Sequence, residues 1–514
     1  MTNLRRLRNA GPAHPNKTHM RLSLTDRVRR RGDHPGTRAF QSGQRALDPS
    51  WRAGSVALYR RVWRWHFYAG LVCLPFLVMM AVTGALYLYK DPIESLVYGQ
   101  LRFVQSASVP SLDAESLVAR AKEAVPGEPV RFVAPPQPGR SAEVGVRTGS
   151  GTVSVYLDPS SGRVLGHLRD DLKLMEVVRH VHSLALAGPV ANHWIEIVAG
   201  WAIVLVVSGT FLWWPRGQPG GVYSVRGRPA RRLWWRDLHA VTGITAAAAI
   251  LFLAVTGMPW SPFWGQQFGR LSNDWGVGLP QYLWGKPQST PRLQSLGDVP
   301  WTLTQAPLPQ SAPQADAGQH AGHSGHTGRP GGPAAAVGEG VASIGLNEAL
   351  RLISQRGVPP GTAVSLPAGP QGVYTAVLFP DDVRAARVVH LDRYSGAVLA
   401  DVGYADYGAV GRLTEWGISL HTGRQFGWLN QLVMLAGCVA IVALAVSAVV
   451  MWWKRRPSGQ LAAPARRHGD RAAAGAIAVA VLLGLIYPLL GASMLVALLI
   501  DAAVPARWHE RFGL

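Results

Sequence analysis

Four histidines beside long apolar segments are the residues of this 514-residue chain best suited to chemistry. Thr83 follows His66 at the same offset along the chain at which Thr256 follows His239. A glycine comes directly after each of these threonines. Ligand-capable side chains at the edge of a membrane-embedded bundle are functional candidates by default. The matched spacing therefore predicts that both histidines are ligands rather than ordinary interfacial residues.

A second pair of histidines repeats in the same way. Trp213 follows His182 at the same offset at which Trp452 follows His421. Two imidazoles that face each other across a bundle can bind one metal from both sides. In a haem this arrangement closes both axial positions, which suits electron transfer rather than oxygen binding. The four histidines therefore predict two haems, each held by two histidines.

His180 is a rival to His182 as a ligand. The two residues lie two positions apart, so they cannot share one face of a helix. The repeat favours His182, because Ser419 stands where the second half would need a counterpart of His180. Arginines beside the four histidines are candidates for pairing with haem propionates: Arg64, Arg179, Arg236 and Arg424.

Apolar runs of about 20 residues predict the membrane-spanning helices that would position the histidines. The last apolar stretch contains Pro488 and is compatible with one kinked helix or with a short helical hairpin. Five or six spanning helices are therefore expected. The predicted order is a basic disordered arm (1–55), TM1 (56–90), a first periplasmic domain (91–179), TM2 (180–215), a cytoplasmic loop (216–236), TM3 (237–260), a periplasmic linker (261–342), a second periplasmic domain (343–415), TM4 (416–453), a cytoplasmic loop (454–471) and the C-terminal stretch (472–503).

The net charge of +21 indicates topology rather than a nucleic-acid partner. Residues 1–64, 215–237 and 454–471 together carry +22, whereas residues 90–179 and 260–415 together carry −1. Short basic segments stay on the cytoplasmic side of a membrane. We therefore predict a multi-pass protein of the bacterial inner membrane with a cytoplasmic N-terminus.

This topology sorts the four histidines into two levels. His66 and His239 would lie near the cytoplasmic surface, and His182 and His421 near the periplasmic surface. We therefore predict that one haem is held by the pair His66/His239 and the other by the pair His182/His421.

The two halves of the chain resemble each other outside the membrane as well. Each periplasmic domain begins with a helical pattern and ends with Leu-Asp-x-x-x-Gly, at 157–162 and at 391–396. Alternating strand patterns lie between these two features. We predict a membrane α-helical protein with a duplicated four-helix transmembrane core, one or two C-terminal helices and two small α+β periplasmic domains.

An insertion at about 301–342 is rich in Pro, Gly and Ala, which is typical of a flexible linker. Weak metal binding is the alternative interpretation, because histidines recur there at three-residue spacing: His320, His323 and His326.

The sequence also excludes several kinds of chemistry. The two cysteines, Cys73 and Cys438, lie in predicted spanning helices, and the Cys-x-x-Cys-His motif of covalently attached haem is absent. Neither a dinucleotide-binding glycine motif nor a P-loop is present. Electrons would therefore come from a cytoplasmic partner or from quinol, and we assign no catalytic acid or base.

The order of these motifs resembles the PepSY-associated transmembrane proteins. The shared pattern includes Trp65-His66, Val181-His182, Trp213-Trp214-Pro215 and the closing segment 487–491. The resemblance covers about residues 55–505 and excludes the N-terminal arm and the histidine-rich insertion. Each motif is short, so the specificity comes from their order and repetition.

The resemblance implies an iron-regulated inner-membrane protein. Members of this family that act as ferric-siderophore reductases carry two b-type haems and reduce ferric complexes in the periplasm, which releases Fe(II) for uptake. The motif match carries the role of haem ligand over to four residues: His66, His182, His239 and His421. The two small domains would form or gate the docking surface for the ferric complex.

Two other functions stay open at this point. The first is a non-enzymatic permease or accessory protein for iron, a siderophore or another metal. The second is a regulatory module built on the PepSY domains. Neither alternative explains four histidines at two membrane levels.

Overall fold

The computed structural model describes residues 49–105, 111–216, 220–279, 288–296, 299–312, 342–457, 461 and 474–503. Most of the predicted basic arm and the three histidines of the insertion lie outside the described residues: His320, His323 and His326. The helices in chain order are α1 (Pro49–Tyr87), α2 (Lys90–Val97), α3 (Gly99–Arg102), α4 (Ala114–Ala124), α5 (Leu174–His182), α6 (Pro189–Trp213), α7 (Arg232–Gly257), α8 (Trp264–Asp274), α9 (Leu346–Gln355), α10 (Ala409–His421), α11 (Trp428–Trp453), α12 (Ala474–Ile486) and α13 (Pro488–Ala503). The strands are β1 (Glu128–Val133), β2 (Ala142–Thr148), β3 (Gly151–Leu157), β4 (Val164–Arg169), β5 (Gln288–Arg292), β6 (Pro307–Pro309), β7 (Ala363–Ser365), β8 (Val373–Leu378), β9 (Arg387–Asp392) and β10 (Val398–Gly403).

Four helical segments are long and apolar enough to cross a membrane. Within the described part of the chain these are Val56–Tyr87, Pro189–Trp213, Arg232–Trp260 and Trp428–Trp453. Helix α7 packs against both α6 and α11. The expectation of a membrane helical protein is therefore confirmed.

The helices that carry two of the histidines are separate from the spanning helices that follow them. Helix α5 ends at His182, and α6 begins only at Pro189. Gly188 before α6 has φ of +98°, and Gly427 before α11 has φ of +56°. A residue with a side chain is strained at such angles, so glycine lets the chain turn here. The spanning helices therefore begin later than the predicted TM2 and TM4.

The two predicted α+β segments contribute to one sheet rather than to two separate sheets. Neighbouring strands pair in the order β10-β9-β8-β7-β1-β2-β3-β4. The two segments join where β1 pairs antiparallel with β7, with Phe132 opposite Val364. Buried side chains from both segments share one hydrophobic core: Leu117, Phe132, Val155, Ile353, Val364 and Leu391. No feature of the sequence pattern indicated this joint.

The Leu-Asp-x-x-x-Gly motifs form the turns of two matching β-hairpins. The Gly162 N–H donates to the Asp158 carbonyl at 2.9 Å, and Gly396 donates to Asp392 at 3.0 Å. The two glycines have φ of +70° and +68°, which a side chain would disfavour. The two motifs therefore close matching hairpins, between β3 and β4 and between β9 and β10.

A network of charged side chains connects the sheet to α5. The Arg131 guanidinium donates to the carboxylates of Glu143 at 2.8 Å and Asp170 at 3.0 Å. The Lys173 ammonium group, directly before α5, lies 3.1 Å from Glu143 and 2.9 Å from Asp170. Burial would raise the pKa of Glu143, but Lys173 and Arg131 lower it to about 2. Two cations thus balance two carboxylates where the sheet meets the helix that ends at His182.

The predicted linker 261–342 contains ordered structure in its described part. Helix α8 and the hairpin of β5 and β6 lie within it. Its apolar side chains are buried against β9, β10 and the start of the next helix, in a cluster that includes Leu279, Leu293, Leu303, Val388 and Tyr407. This burial accounts for the ordered structure in a segment that is predicted to be a linker.

Two buried carboxylates attach this segment to the helices. Glu196 of α6 accepts hydrogen bonds from the backbone N–H groups of Phe263 at 3.2 Å and Trp264 at 3.0 Å. Glu415 of α10 accepts one from the Thr302 N–H at 2.7 Å. Burial raises the pKa of Glu415 to about 7, although the Thr302 N–H partly opposes this shift.

Replacing Glu415 by Gln should remove a pH-dependent part of the stability. The folded-state pKa of Glu415 lies above its ordinary value of 4.5. Its contribution to the stability of the fold is therefore fully present below pH 4.5 and is lost as the pH rises towards 7. The loss is about 3 kcal/mol for a shift of this size. Gln keeps an acceptor for the Thr302 N–H and does not ionise. Melting curves at pH 5 to 8 should show that the melting temperature of the variant increases relative to that of the wild type as the pH rises. A constant difference between the two melting temperatures would contradict this account.

The C-terminal apolar stretch forms two short helices, α12 and α13, separated at Tyr487. A Cβ added to Gly484 would lie only 3.0 Å from the Gly491 Cα atom. Residues seven apart in one continuous helix would be separated by about 10 Å along its axis. The stretch therefore corresponds to the hairpin alternative, and α13 packs against α6.

Candidate cofactor-binding site

His66 of α1 and His239 of α7 lie side by side and form the first histidine pair. Their ring centroids are 6.4 Å apart, and the ring planes are inclined by 86°. Two imidazoles bound to opposite sides of one metal, with metal–nitrogen bonds of about 2 Å, would have centroids about 6.4 Å apart. The observed spacing therefore fits one metal atom between the two rings.

His182 and His421 form the second histidine pair. They end the short helices α5 and α10, and their rings lie close enough to interact electrostatically. His182 contacts Thr83, which lies further along α1 than His66 does. A helix rises about 25 Å between these two positions of α1. The two pairs therefore lie towards opposite ends of the bundle, and that each pair holds one haem stays a prediction.

Each of the four histidines has a hydroxyl beside its ring nitrogen Nδ1. The first pair contacts serines of α6 and α11, and the second pair contacts threonines of α1 and α7. The Nδ1–oxygen distances are 2.9 Å for His66 and Ser208, 3.0 Å for His239 and Ser447, 2.9 Å for His182 and Thr83, and 2.9 Å for His421 and Thr256. One local arrangement thus occurs at four positions.

Glycines allow spanning helices to approach three of the rings closely. A Cβ atom at these positions would lie near the Cε1 atom of a ring: 3.2 Å for Gly209 and His66, 3.4 Å for Gly84 and His182, and 3.5 Å for Gly257 and His421. At Gly209 a Cβ would require His66 to move, whereas at Gly84 and Gly257 it would make ordinary van der Waals contact and only a side chain larger than alanine would need the space of the ring. The glycine after each repeated threonine is therefore part of the site.

The structure favours His182 over its rival His180. His180 Nε2 lies 3.3 Å from a carboxylate oxygen of Glu176, four residues earlier on the same helix. His182 instead contacts Thr83 and lies near His421. This difference follows from the opposite helix faces of two residues that are two positions apart.

The four arginines proposed as propionate partners have other contacts in the structure. Arg179 pairs with Glu176, and Arg236 pairs with the buried Asp237 at 2.5 Å. The remaining two lie over aromatic rings, Arg64 over Tyr68 at 5.4 Å and Arg424 over Phe379 at 5.0 Å. Arg179 and Arg236 would have to exchange or share their carboxylate partners to bind a propionate.

Sequence reasoning did not identify the hydroxyl partners. Thr83 and Thr256 recur at matching positions, but this repeat does not indicate what either side chain contacts. Ser208 and Ser447 each stand five residues before the repeated tryptophan pair, and this shared offset was the available signal. Serine is common in membrane helices, so the offset alone does not show that a side chain faces a histidine.

The donor set of each pair can be tested against the metals it could hold. Within the described ranges, no group of three or more His, Cys, Asp or Glu side chains is arranged to bind a metal ion. A structural zinc site takes four protein ligands. A haem iron has its ring nitrogens already and needs only axial ligands from the protein. Two histidines with suitable spacing therefore fit a haem better than a bare ion.

Comparison with known proteins places the chain in a family. The model of the PepSY-associated TM region matches residues 63–455, a range that includes the four histidines and both α+β segments. A search of curated proteins finds no match to the chain. Because the match covers most of the chain and agrees with the resemblance seen in the motifs, this membrane protein belongs to the family of the PepSY-associated TM region.

Proposed function

We propose that the protein is a haem-containing reductase that carries electrons across the bacterial inner membrane to a ferric siderophore in the periplasm. The observation that supports it is the pair of matched sites, in which two histidines lie near each other and each has a hydroxyl beside its ring. In this proposal the core is a duplicated four-helix unit, and the N-terminus is cytoplasmic.

Two pairs of histidines would hold two b-type haems. His66 and His239 would hold the haem nearer the cytoplasm, and His182 and His421 the haem nearer the periplasm. A haem held by two histidines would supply reversible one-electron chemistry without an open position for oxygen. Two sites about 25 Å apart along α1 would cover most of a hydrocarbon core of about 30 Å.

The reaction balances with a quinol or a cytoplasmic reductant as the electron donor. One quinol gives up two electrons and two protons, and each ferric ion takes one electron, so one quinol reduces two ferric ions. Hydroxamate and catecholate oxygens are hard ligands that prefer Fe(III) to Fe(II). Reduction therefore weakens the complex and releases Fe(II). This one-electron step needs no acid or base of the protein, and the two quinol protons pass to water.

The joined sheet is the natural docking surface for the ferric complex in this proposal. It connects to the two short helices that end in His182 and His421, because β4 leads into α5 through Asp170–Leu172 and β10 leads into α10 through Tyr404–Asp406. Residues 90–179 and 260–415, which contain the sheet, carry a combined charge of only −1. Shape and hydrogen bonding would therefore select the complex more than long-range attraction.

An optical spectrum of the purified protein tests the cofactor directly. We expect low-spin b-type bands that sharpen on reduction with dithionite, and about two haems per chain by pyridine haemochrome assay. Protein produced in haem-replete cells should be red. A colourless preparation from such cells would refute the proposal.

A vesicle assay separates a reductase from a permease. Proteoliposomes would contain a reductant in their interior and a lipid-soluble quinone in their bilayer. A ferric siderophore and an Fe(II)-specific dye would be added to the outer solution. A reductase should produce coloured Fe(II) complex outside while a radiolabelled siderophore stays outside. Entry of the labelled siderophore without Fe(II) formation would favour a permease instead.

A further inference from the structure

We propose that Thr83, Ser208, Thr256 and Ser447 are positioning residues that fix each histidine as the tautomer with its proton on Nδ1. The Nε2 atom of each ring is then unprotonated and free to bind iron. This inference rests on the proposed haem function, and it assigns to the four hydroxyls a role in setting the redox properties of the site.

The hydroxyl protons are already donated within their own helices. Each hydroxyl oxygen lies within hydrogen-bond distance of a carbonyl one turn earlier: Thr83 to Met79 at 2.7 Å, Ser208 to Val204 at 2.6 Å, Thr256 to Phe252 at 2.6 Å, and Ser447 to Leu444 at 2.9 Å. A hydroxyl has one proton to donate and lone pairs that accept. Since that proton points to the carbonyl, the histidine nitrogen must be the donor.

His239 leads to the same assignment by a separate contact. Its Nδ1 atom lies 3.1 Å from the Leu444 carbonyl oxygen, in addition to the Ser447 hydroxyl. A carbonyl oxygen can only accept a hydrogen bond, so Nδ1 of His239 must carry the proton. This histidine therefore has the same tautomer even if the serine rotates.

The tautomer has a chemical consequence at the metal. A ligating histidine that donates its other N–H to an acceptor is held in one orientation, and its metal-binding nitrogen becomes more basic. A more basic axial nitrogen stabilises Fe(III) relative to Fe(II). The hydroxyls should therefore lower the midpoint potential of each haem, which favours onward transfer of the electron.

Substitutions at Thr83 test the proposal at one of the four positions. Thr83→Val removes the hydroxyl and keeps the shape, so we expect a higher midpoint potential for one haem and about 10-fold weaker haem binding. Thr83→Ser restores an acceptor and should restore both properties. Thr245→Val is the matched control, because the Thr245 hydroxyl donates to Val241 at 2.9 Å in the same way and has no histidine partner among the described residues. Equal potentials in Thr83→Val and wild type would overturn the proposal.

A second measurement does not need bound haem. Full-length chain labelled with ¹⁵N-histidine and purified from haem-deficient cells would be examined by long-range ¹H–¹⁵N NMR, with His182→Gln to assign the signal. We expect the Nδ1–H tautomer for His182 in the wild type and a weaker preference for it in Thr83→Val, where the Met80 carbonyl is the acceptor that remains. An Nε2–H tautomer in the wild type would refute the assignment.

The two measurements distinguish failure of this inference from failure of the proposed function. If the protein binds no haem, the reductase proposal fails, while the NMR tautomer still decides the role of the hydroxyl. If two haems bind and Thr83→Val changes neither the potential nor the tautomer, only the positioning role is refuted.

Discussion

Replacing His182 by Ala should remove one haem and stop electron transfer across the membrane. His182 and His421 are the two histidines that the structure brings together at this end of the bundle. With one axial ligand missing, the haem iron would lose the low-spin state set by two histidines. We expect about one low-spin haem per chain instead of about two, and Fe(II) production in the vesicle assay at the rate of protein-free vesicles.

His180→Ala is the matched control for this experiment. It removes an imidazole only two residues away, whose Nε2 lies 3.3 Å from a Glu176 oxygen rather than beside His421. Both haems and the activity should survive. Haem loss in His180→Ala with retention in His182→Ala would reverse the ligand assignment, and retention in both would remove the second site from the proposal.

The membrane helices and the proximity of His66 to His239 could be predicted from the sequence because each depends on a local signal. Apolar runs define the spanning segments, and the direction in which each helix crosses decides which end a histidine occupies. His66 and His239 lie inside α1 and α7, and their ring centroids are 6.4 Å apart. Local patterns sufficed here because the membrane restricts the arrangements open to a helix.

The joint between the two α+β segments could not be predicted in this way. β1 and β7 lie in different halves of the chain, and the alternation that marks a strand does not name its partner. Equivalent residues of the two segments also have different surroundings, which the repeat does not indicate. Ser154 and Lys173 belong to the charged network, whereas Val388 and Tyr407, at the same distances from the second Leu-Asp motif, are buried in an apolar cluster.

That difference depends on what covers each part of the sheet. Leu279, Leu293 and Leu303 pack against the second part, so apolar residues there lose contact with water. In the first part, charged residues instead connect the sheet to α5. Because a repeated motif predicts similar backbones and not similar neighbours, only the tertiary structure shows that the two parts differ.

Replacing Glu143 by Gln should destabilise the first part of the sheet and loosen its connection to α5. The change leaves Arg131 and Lys173 with one carboxylate, Asp170, in a network whose side chains are mostly buried. Breaking one partner of a buried ion pair costs about 3–5 kcal/mol. The pKa of Glu143, lowered from 4.5 to about 2, corresponds to about 3 kcal/mol. Hydrogen exchange of the β2 and β3 amides at pH 7 should therefore become faster by about 100-fold.

The pH dependence and a surface variant make this prediction specific. Because the folded-state pKa of Glu143 is lowered, its contribution is present above pH 4.5 and is lost as the pH falls towards 2, so wild type and variant should converge in acid. Glu128→Gln is the control, since the Glu128–Arg147 pair is 3.5 Å apart with both side chains more than half exposed. Such a pair contributes less than about 1 kcal/mol. Equal protection in the two variants, or a Glu143→Gln effect as large at pH 2.5 as at pH 7, would show that the network does not hold the sheet to the helix of His182.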